Sequence, residues 1–262
     1  MFGFTTNNEN RVFINGIQLP GIESAEFSYS NSYSPSRFLG VSTIHSLVSN
    51  DTQKQFSFAR YLIYNDPCLQ FTGNSPISGS VHYDGKSYGF NSGFLTDYSV
   101  NCAVGAIPNV NANFAVYGQM NTGISASGNV VAPTIFIPNQ GSISLTCDNV
   151  STNRVVGFDY ALKINREPIY TIGSSFPAEV ITMQGIEFSA SVQIDVDDAF
   201  MQNAASFLSL RENKSISFTV RSRDGNTILQ QFSIPRASLI GENLTSSADG
   251  GVKLTINYAG QV

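Results

Sequence analysis

From Phe188 to Asp197 the chain reads Phe-Ser-Ala-Ser-Val-Gln-Ile-Asp-Val-Asp, apolar and polar residues changing places at every step. Successive side chains of a strand point to opposite faces, so this run buries one face and wets the other only as an extended strand. Shorter versions recur. Residues 25–30 set Phe27 and Tyr29 two apart, and similar patterns predict strands over 11–18, 54–61, 77–83, 87–98, 113–117, 141–146, 154–164, 216–221, 227–234 and 251–258. Turn pairs tolerant of positive φ punctuate them at Asn15-Gly16, Asp84-Gly85, Asp224-Gly225 and Asp249-Gly250. A mainly antiparallel β chain is expected. One stretch departs from alternation: over 198–210, Phe200, Ala204, Phe207 and Leu208 share a helical face behind a capping Asp197 or Asp198, predicting a short helix. Its counterpart is expected over 60–66, before Pro67.

The chain carries an internal repeat. Phe27-Ser28-Tyr29 returns as Phe158-Asp159-Tyr160, with an Arg and an apolar-Gly step after each, Arg37 to Gly40 and Arg166 to Gly173. Ile77 and Val81 ahead of Asp84-Gly85 return as Ile216 and Val220 ahead of Asp224-Gly225, and each copy closes on a β-rich run ending in glycine, at Gly118 and Gly260. A period of half the chain is too long for a solenoid or propeller. It reads as two fused domains, 1–135 and 136–262, joined by a Gly-, Ser- and Pro-containing connector over 119–139. Two segments near 20 residues long, 35–53 and 166–184, occupy equivalent places and resist assignment; each carries a Leu39-Gly40 or Ile172-Gly173 step that fits a protruding hairpin.

At 262 residues each half can bury its own core. Charged residues make up only 13 percent, against 42 percent hydrophobic, with Ser, Asn, Thr, Gln and Gly supplying the remaining polarity. Such a surface can be desolvated against another subunit without stranding many ions. The net charge of -5 carries no basic stripe, so tight binding to nucleic-acid phosphates is not expected. No apolar run approaches a membrane span, and Met1 to Asn7 lacks the features of a signal peptide. Cys68, Cys102 and Cys147 have no metal spacing and are expected as buried free thiols.

Chemistry has few players. The chain has only two histidines, His45 and His82, and His82 is expected to be structural. Asp195 and Asp197 project to one solvated sheet face and Asp198 suits a helix cap, so the cluster Asp195, Asp197 and Asp198 is not read as a metal or catalytic site. The run from Gly79 to Ser87 has one residue too many for a phosphate-binding loop and crosses strand, turn, strand. No enzyme activity, cofactor or metal is expected.

The opening Arg11-Val12-Phe13-Ile14-Asn15-Gly16-Ile17, the aromatic alternating strand, the long arm, the strand 188–198 with acidic end and following helix, and the Asp-Gly hairpins together resemble the tail tube fold of tailed bacteriophages. The second copy, with Tyr160 to Pro168, follows the pattern more closely than the first. The resemblance implies two tandem tube-like antiparallel β-sandwich or barrel domains, each with one short helix and a protruding arm. It implies trimeric, pseudo-hexameric rings that stack into a conduit for DNA, in a virion tail assembled in the host cytoplasm, meeting sheath, hub or terminator proteins. Ser28, Ser30, Ser189, Ser191, Gln193 and Asp195 would line the lumen, where DNA passes without specific binding. Arg37, Phe38, Leu39, Gly40, Arg166, Ile169, Tyr170 and Gly173 would form the inter-ring arms. Baseplate hubs and distal tail rings share the fold and are an alternative. From another class, a carbohydrate-binding β-sandwich adhesin would use Tyr83, Tyr88 and Tyr98 as stacking platforms.

Overall fold

The computed structural model describes residues 11–36, 46–83, 86–122, 134–148, 150–196, 213–247 and 251–262. Among these the chain is almost entirely strand: β1 (Arg11–Ile14), β2 (Ile17–Leu19), β3 (Ile22–Ser36), β4 (Ser46–Tyr61), β5 (Ile77–Tyr83), β6 (Lys86–Ala103), β7 (Asn109–Val116), β8 (Met120–Thr122), β9 (Ile143–Cys147), β10 (Val150–Thr152), β11 (Val155–Ile169), β12 (Glu179–Val196), β13 (Lys214–Arg221), β14 (Ile228–Ser247) and β15 (Gly251–Gln261). Every pairing is antiparallel and all the strands belong to one hydrogen-bonded sheet.

Pairing order is the same in both halves. The first runs β2-β1-β5-β6-β7-β4-β3 and the second β10-β9-β13-β14-β15-β12-β11, with β8 an addition on β6. The irregularities coincide as well, save one on β13 between Val220 and Arg221. The ladder slips between Ile22 and Ser24 on β3 and between Val155 and Gly157 on β11, between Ile77 and Gly79 on β5 and between Lys214 and Ile216 on β13, and between Leu95 and Asp97 on β6 and between Leu239 and Gly241 on β14. Bulges raise local twist, so matched bulges bend both halves at the same points.

In each half the longest strand carries two ladders and folds one layer over the other, and the buried residues of both halves join in one apolar cluster. The N-terminal part of β6 pairs β5 and its C-terminal part pairs β7, folding Phe90 onto Phe56, whose centroids lie 5.4 Å apart. In the second half β14 does the same, and Phe158 stacks on Phe218 at 4.8 Å while packing on Phe232. This is β-sandwich packing, alternate residues of both layers facing inward. Two glycines are required by it: a Cβ on Gly79 or on Gly93 would fall 2.5 or 2.3 Å from the Phe90 ring. The Asn15-Gly16 pair, both at positive φ, makes the tight turn that splits the expected strand 11–18 into β1 and β2.

Within the described residues both segments belong to hairpin ladders, paired as far as Ser36 with Ser46 and Ile169 with Glu179. The helix expected over 60–66 is not formed. Arg60 and Tyr61 finish β4, and the turn comes later as a 3-10 segment at Pro67–Gln70, capped by the Asp66 carboxylate accepting from the Cys68 amide. The β-alternation of Phe56, Phe58 and Arg60 extends the strand, and Pro67 suits a helix start rather than its end. The helix expected over 198–210 and the turns Asp84-Gly85 and Asp249-Gly250 lie outside the described residues.

Candidate assembly surfaces

The halves meet strand to strand. β11 pairs β6 from Gly157 opposite Ala103 to Lys163 opposite Asp97, so the sheet passes from one half to the other without a break. Alternation then sorts the side chains. Tyr98, Val100 and Cys102 on β6 and Phe158, Tyr160 and Leu162 on β11 enter the core, all 3% exposed or less. Their neighbours Asp97, Ser99, Asn101, Asp159, Ala161 and Lys163 turn to the other face, where the Asn101 amide donates to the Asp159 carboxylate at 2.6 Å.

Following the register outward gives a polar face across eight strands, from β3 through β4, β7, β6, β11, β12 and β15 to β14. Ser28, Ser30, Ser189, Ser191, Gln193 and Asp195 all lie on it, exposed or half-buried, back to back with Phe27, Ala190, Val192 and Ile194. Small amides and hydroxyls dominate: Ser57, Asn109, Asn111, Asn113, Ser99 and Asn257. Its charges sit in opposed register, Lys163 between Asp97 and Glu187, and Lys253 opposite Asp195. Glu26 and Asp159 add two carboxylates and Arg236 one cation, so among these residues five carboxylates face three cations and the face leans acidic. It is hollowed where Asp97, Ser99, Lys163, Glu187, Ser189 and Arg236 line a shallow cavity.

The residues expected in the arms separate. Arg37, Phe38, Leu39 and Gly40 lie outside the described residues, as does His45. Ile169 and Tyr170 stand exposed near the tip of the β11–β12 hairpin beside fully exposed Ile172, and Gly173 turns the chain at φ +85°. Arg166 sits lower and works within the chain. Its Nε donates to the Leu95 carbonyl, Nη2 to the carbonyls of Thr72 and Gly73, and Nη1 to Asn74 Oδ1 and Thr182 Oγ1, all between 2.8 and 3.1 Å. Burial lowers its pKa, and its guanidinium lies 5.7 Å from the Phe94 centroid. It therefore clamps the second half's arm to a loop of the first.

A buried polar network secures the same junction. Arg60, fully buried, forms an ion pair with Asp66, whose other oxygen accepts from the Tyr98 hydroxyl at 3.0 Å. The Asp66 amide donates to Gln230 Oε1 of β14 at 2.8 Å and the Asn65 amide to the Leu229 carbonyl at 3.1 Å. Sequence reasoning missed this group, although Arg60 stands at an apolar position of the Phe56-Phe58-Arg60 alternation, which was a readable signal. Tyr98, expected as a stacking platform, is instead wholly buried in this network, where burial and then Asp66 push its pKa well up. Tyr83 is exposed and Tyr88 half-buried.

His82 is structural in its surroundings, its Nε2 3.2 Å from Ser80 Oγ and its ring edge-on to Phe13 at 4.8 Å. The three cysteines are buried and free. Among the described residues no group of three or more His, Cys, Asp or Glu side chains is gathered to hold a metal.

What the halves leave open is as informative as what they join. Among the described residues nothing pairs with β3 on its side away from β4, and nothing pairs with 238–247 of β14 on the side away from β15. Tyr29 and Leu244 on these edges are 69% and 57% exposed. No protein-family model matches the chain, and no curated protein matches it.

Proposed function

We propose that this chain is a structural subunit of a bacteriophage tail, forming trimeric rings of six sheet-joined units that stack into a tube for DNA. The single observation that carries the reading is the repeated strand order joined edge to edge through β6 and β11, with an open edge left at each end of the eight-strand polar face. A unit that already pairs with its twin inside the chain has the geometry to pair again outside it. Open edges are a hazard that proteins cover, and a ring that pairs β3 with β14 covers both ends of the polar face. The polar face suits a lumen: amides and hydroxyls wet it, while its acidic lean keeps phosphates from sticking. The exposed apolar tip of the β11–β12 hairpin, with Ile169, Tyr170, Ile172 and Phe176, suits contact with a stacked neighbour.

Negative-stain electron microscopy with light scattering tests this. Rings or hollow tubes whose mass is a multiple of three chains are expected. A compact monomer at every concentration would remove the proposal.

A further inference from the structure

The junction inside the chain also specifies how two chains meet. Because the ladders slip at matched places, residues of the two halves can be equated one by one. Ser24 on β3 follows its bulge as Gly157 does on β11, and Gly241 on β14 follows its bulge as Asp97 does on β6. The β6–β11 ladder sets Gly157 opposite Ala103, Asp159 opposite Asn101, Tyr160 opposite Val100, Ala161 opposite Ser99 and Lys163 opposite Asp97. Replacing each residue by its equivalent gives a register for the two open edges.

We infer that 241–247 of β14 pairs antiparallel with 24–30 of β3 in a second copy of this chain, setting Glu26 opposite Thr245, Phe27 opposite Leu244 and Ser28 opposite Asn243. This deepens the ring-forming reading and rests on it. The side chains brought together are complementary. Leu244, more than half exposed, meets half-buried Phe27 on the apolar face, as Val100 meets Tyr160 inside the chain. On the polar face Glu26 meets the Thr245 hydroxyl, keeping the carboxylate on the same strand and the donor on the same partner as in the Asp159–Asn101 bond. Tyr29 comes opposite Glu242, a phenol against a carboxylate. The edges differ, so the contact is heterologous and adds chains head to tail; a ring results when the rotation closes. Ser28 and Ser30 then continue the polar rows of the neighbouring chain's β14.

Paired cysteines test the register. Directly opposed residues on antiparallel strands hold their Cβ atoms about 4.5–5.5 Å apart, close enough for a disulfide after small adjustment. The native thiols stay out of the reaction: all three are buried, and burial pushes Cys102 up to about 12 and Cys147 up to about 11. A double variant S28C with N243C, oxidised and run on a non-reducing gel, is expected to shift from monomer to covalent multimers. Mixed single variants should give dimers only, and each single variant alone should stay monomeric on the gel. The pair S28C with T245C, displaced by two residues, should crosslink far less. Amide hydrogen exchange gives a second measure: protection at 24–30 and 241–247 should rise together on assembly. Rings that form without the expected crosslink and without that protection, or a displaced pair that crosslinks better, overturn the register while leaving ring formation standing. A variant and wild type that both remain monomeric by light scattering overturn the ring as well.

Discussion

The C-terminal parts of β6 and β14 hold the same place in their halves yet live in different surroundings. On β6, Tyr98, Val100 and Cys102 point into the core and are sealed by β11; on β14 the equivalent positions are Glu242, Leu244 and Ser246, with Leu244 57% exposed. The partners differ likewise, with Phe158, Tyr160 and Leu162 on β11 against Ala25, Phe27 and Tyr29 on β3. A joint closed from the moment of folding can be fully apolar. The open edge carries a charge, a hydroxyl and smaller apolar groups, which suit a joint that, in the proposed ring, stays in water until another chain arrives and must not collect wrong partners.

The strongest way to break the comparison is to attack what only the closed joint has. Asp66→Asn leaves Arg60 charged and buried without a counter-charge, and removal of one partner from such a pair costs about 3–5 kcal/mol. Urea denaturation should show the midpoint falling by the corresponding amount. A paired substitution sharpens the contrast: Val100→Ala, deleting two buried methyl groups, should cost about 2 kcal/mol. Leu244→Ala, its counterpart on the open edge, should change the monomer by less than about 0.5 kcal/mol. Equal losses measured for the unassembled chain would mean that β14 is already covered.

The smallest effect separates a surface pair from the buried one. Asp148 accepts from Lys214 at 3.0 Å, and that hydrogen bond holds its carboxyl below the ordinary range. The depressed folded value makes its contribution present at neutral pH and above the unfolded pKa, and lost as pH falls through the folded value. Lys214→Met should lower the neutral midpoint slightly and leave the midpoint below the folded pKa unchanged, so that the acid limb of the stability profile flattens.

Strand existence was legible because period two is a strong signal where one face is buried, as in Phe188 to Val196. Register was not. Phe27 and Tyr29 matched Phe158 and Tyr160 in sequence, yet the ladders equate Phe27 with Tyr160 and Ala25 with Phe158; Ile77 likewise corresponds to Lys214, and Val116 to Gly260. Each match was displaced by two residues. A slip of two keeps every side chain on its face, so patterning is blind to it and only hydrogen bonding decides. The segments 35–53 and 166–184 resisted assignment for a related reason: Arg166 and Pro168 interrupt the alternation, and Arg166 is held by carbonyls more than 70 residues away, which local sequence does not encode. The polar face was visible as a set of residues, whereas the edges that end it depend on which strands find partners.

The β6–β11 ladder has a consequence for how assembly responds to dilution. Within the chain that ladder is unimolecular, formed at an effective concentration set by the connection between the halves and indifferent to how much protein is present. In a ring built as proposed, every second joint is of this kind, and only the β3–β14 joints must be won by collision. Carrying two units on one chain therefore halves the number of concentration-dependent encounters per ring and fixes equal numbers of the two unit types without any sorting step.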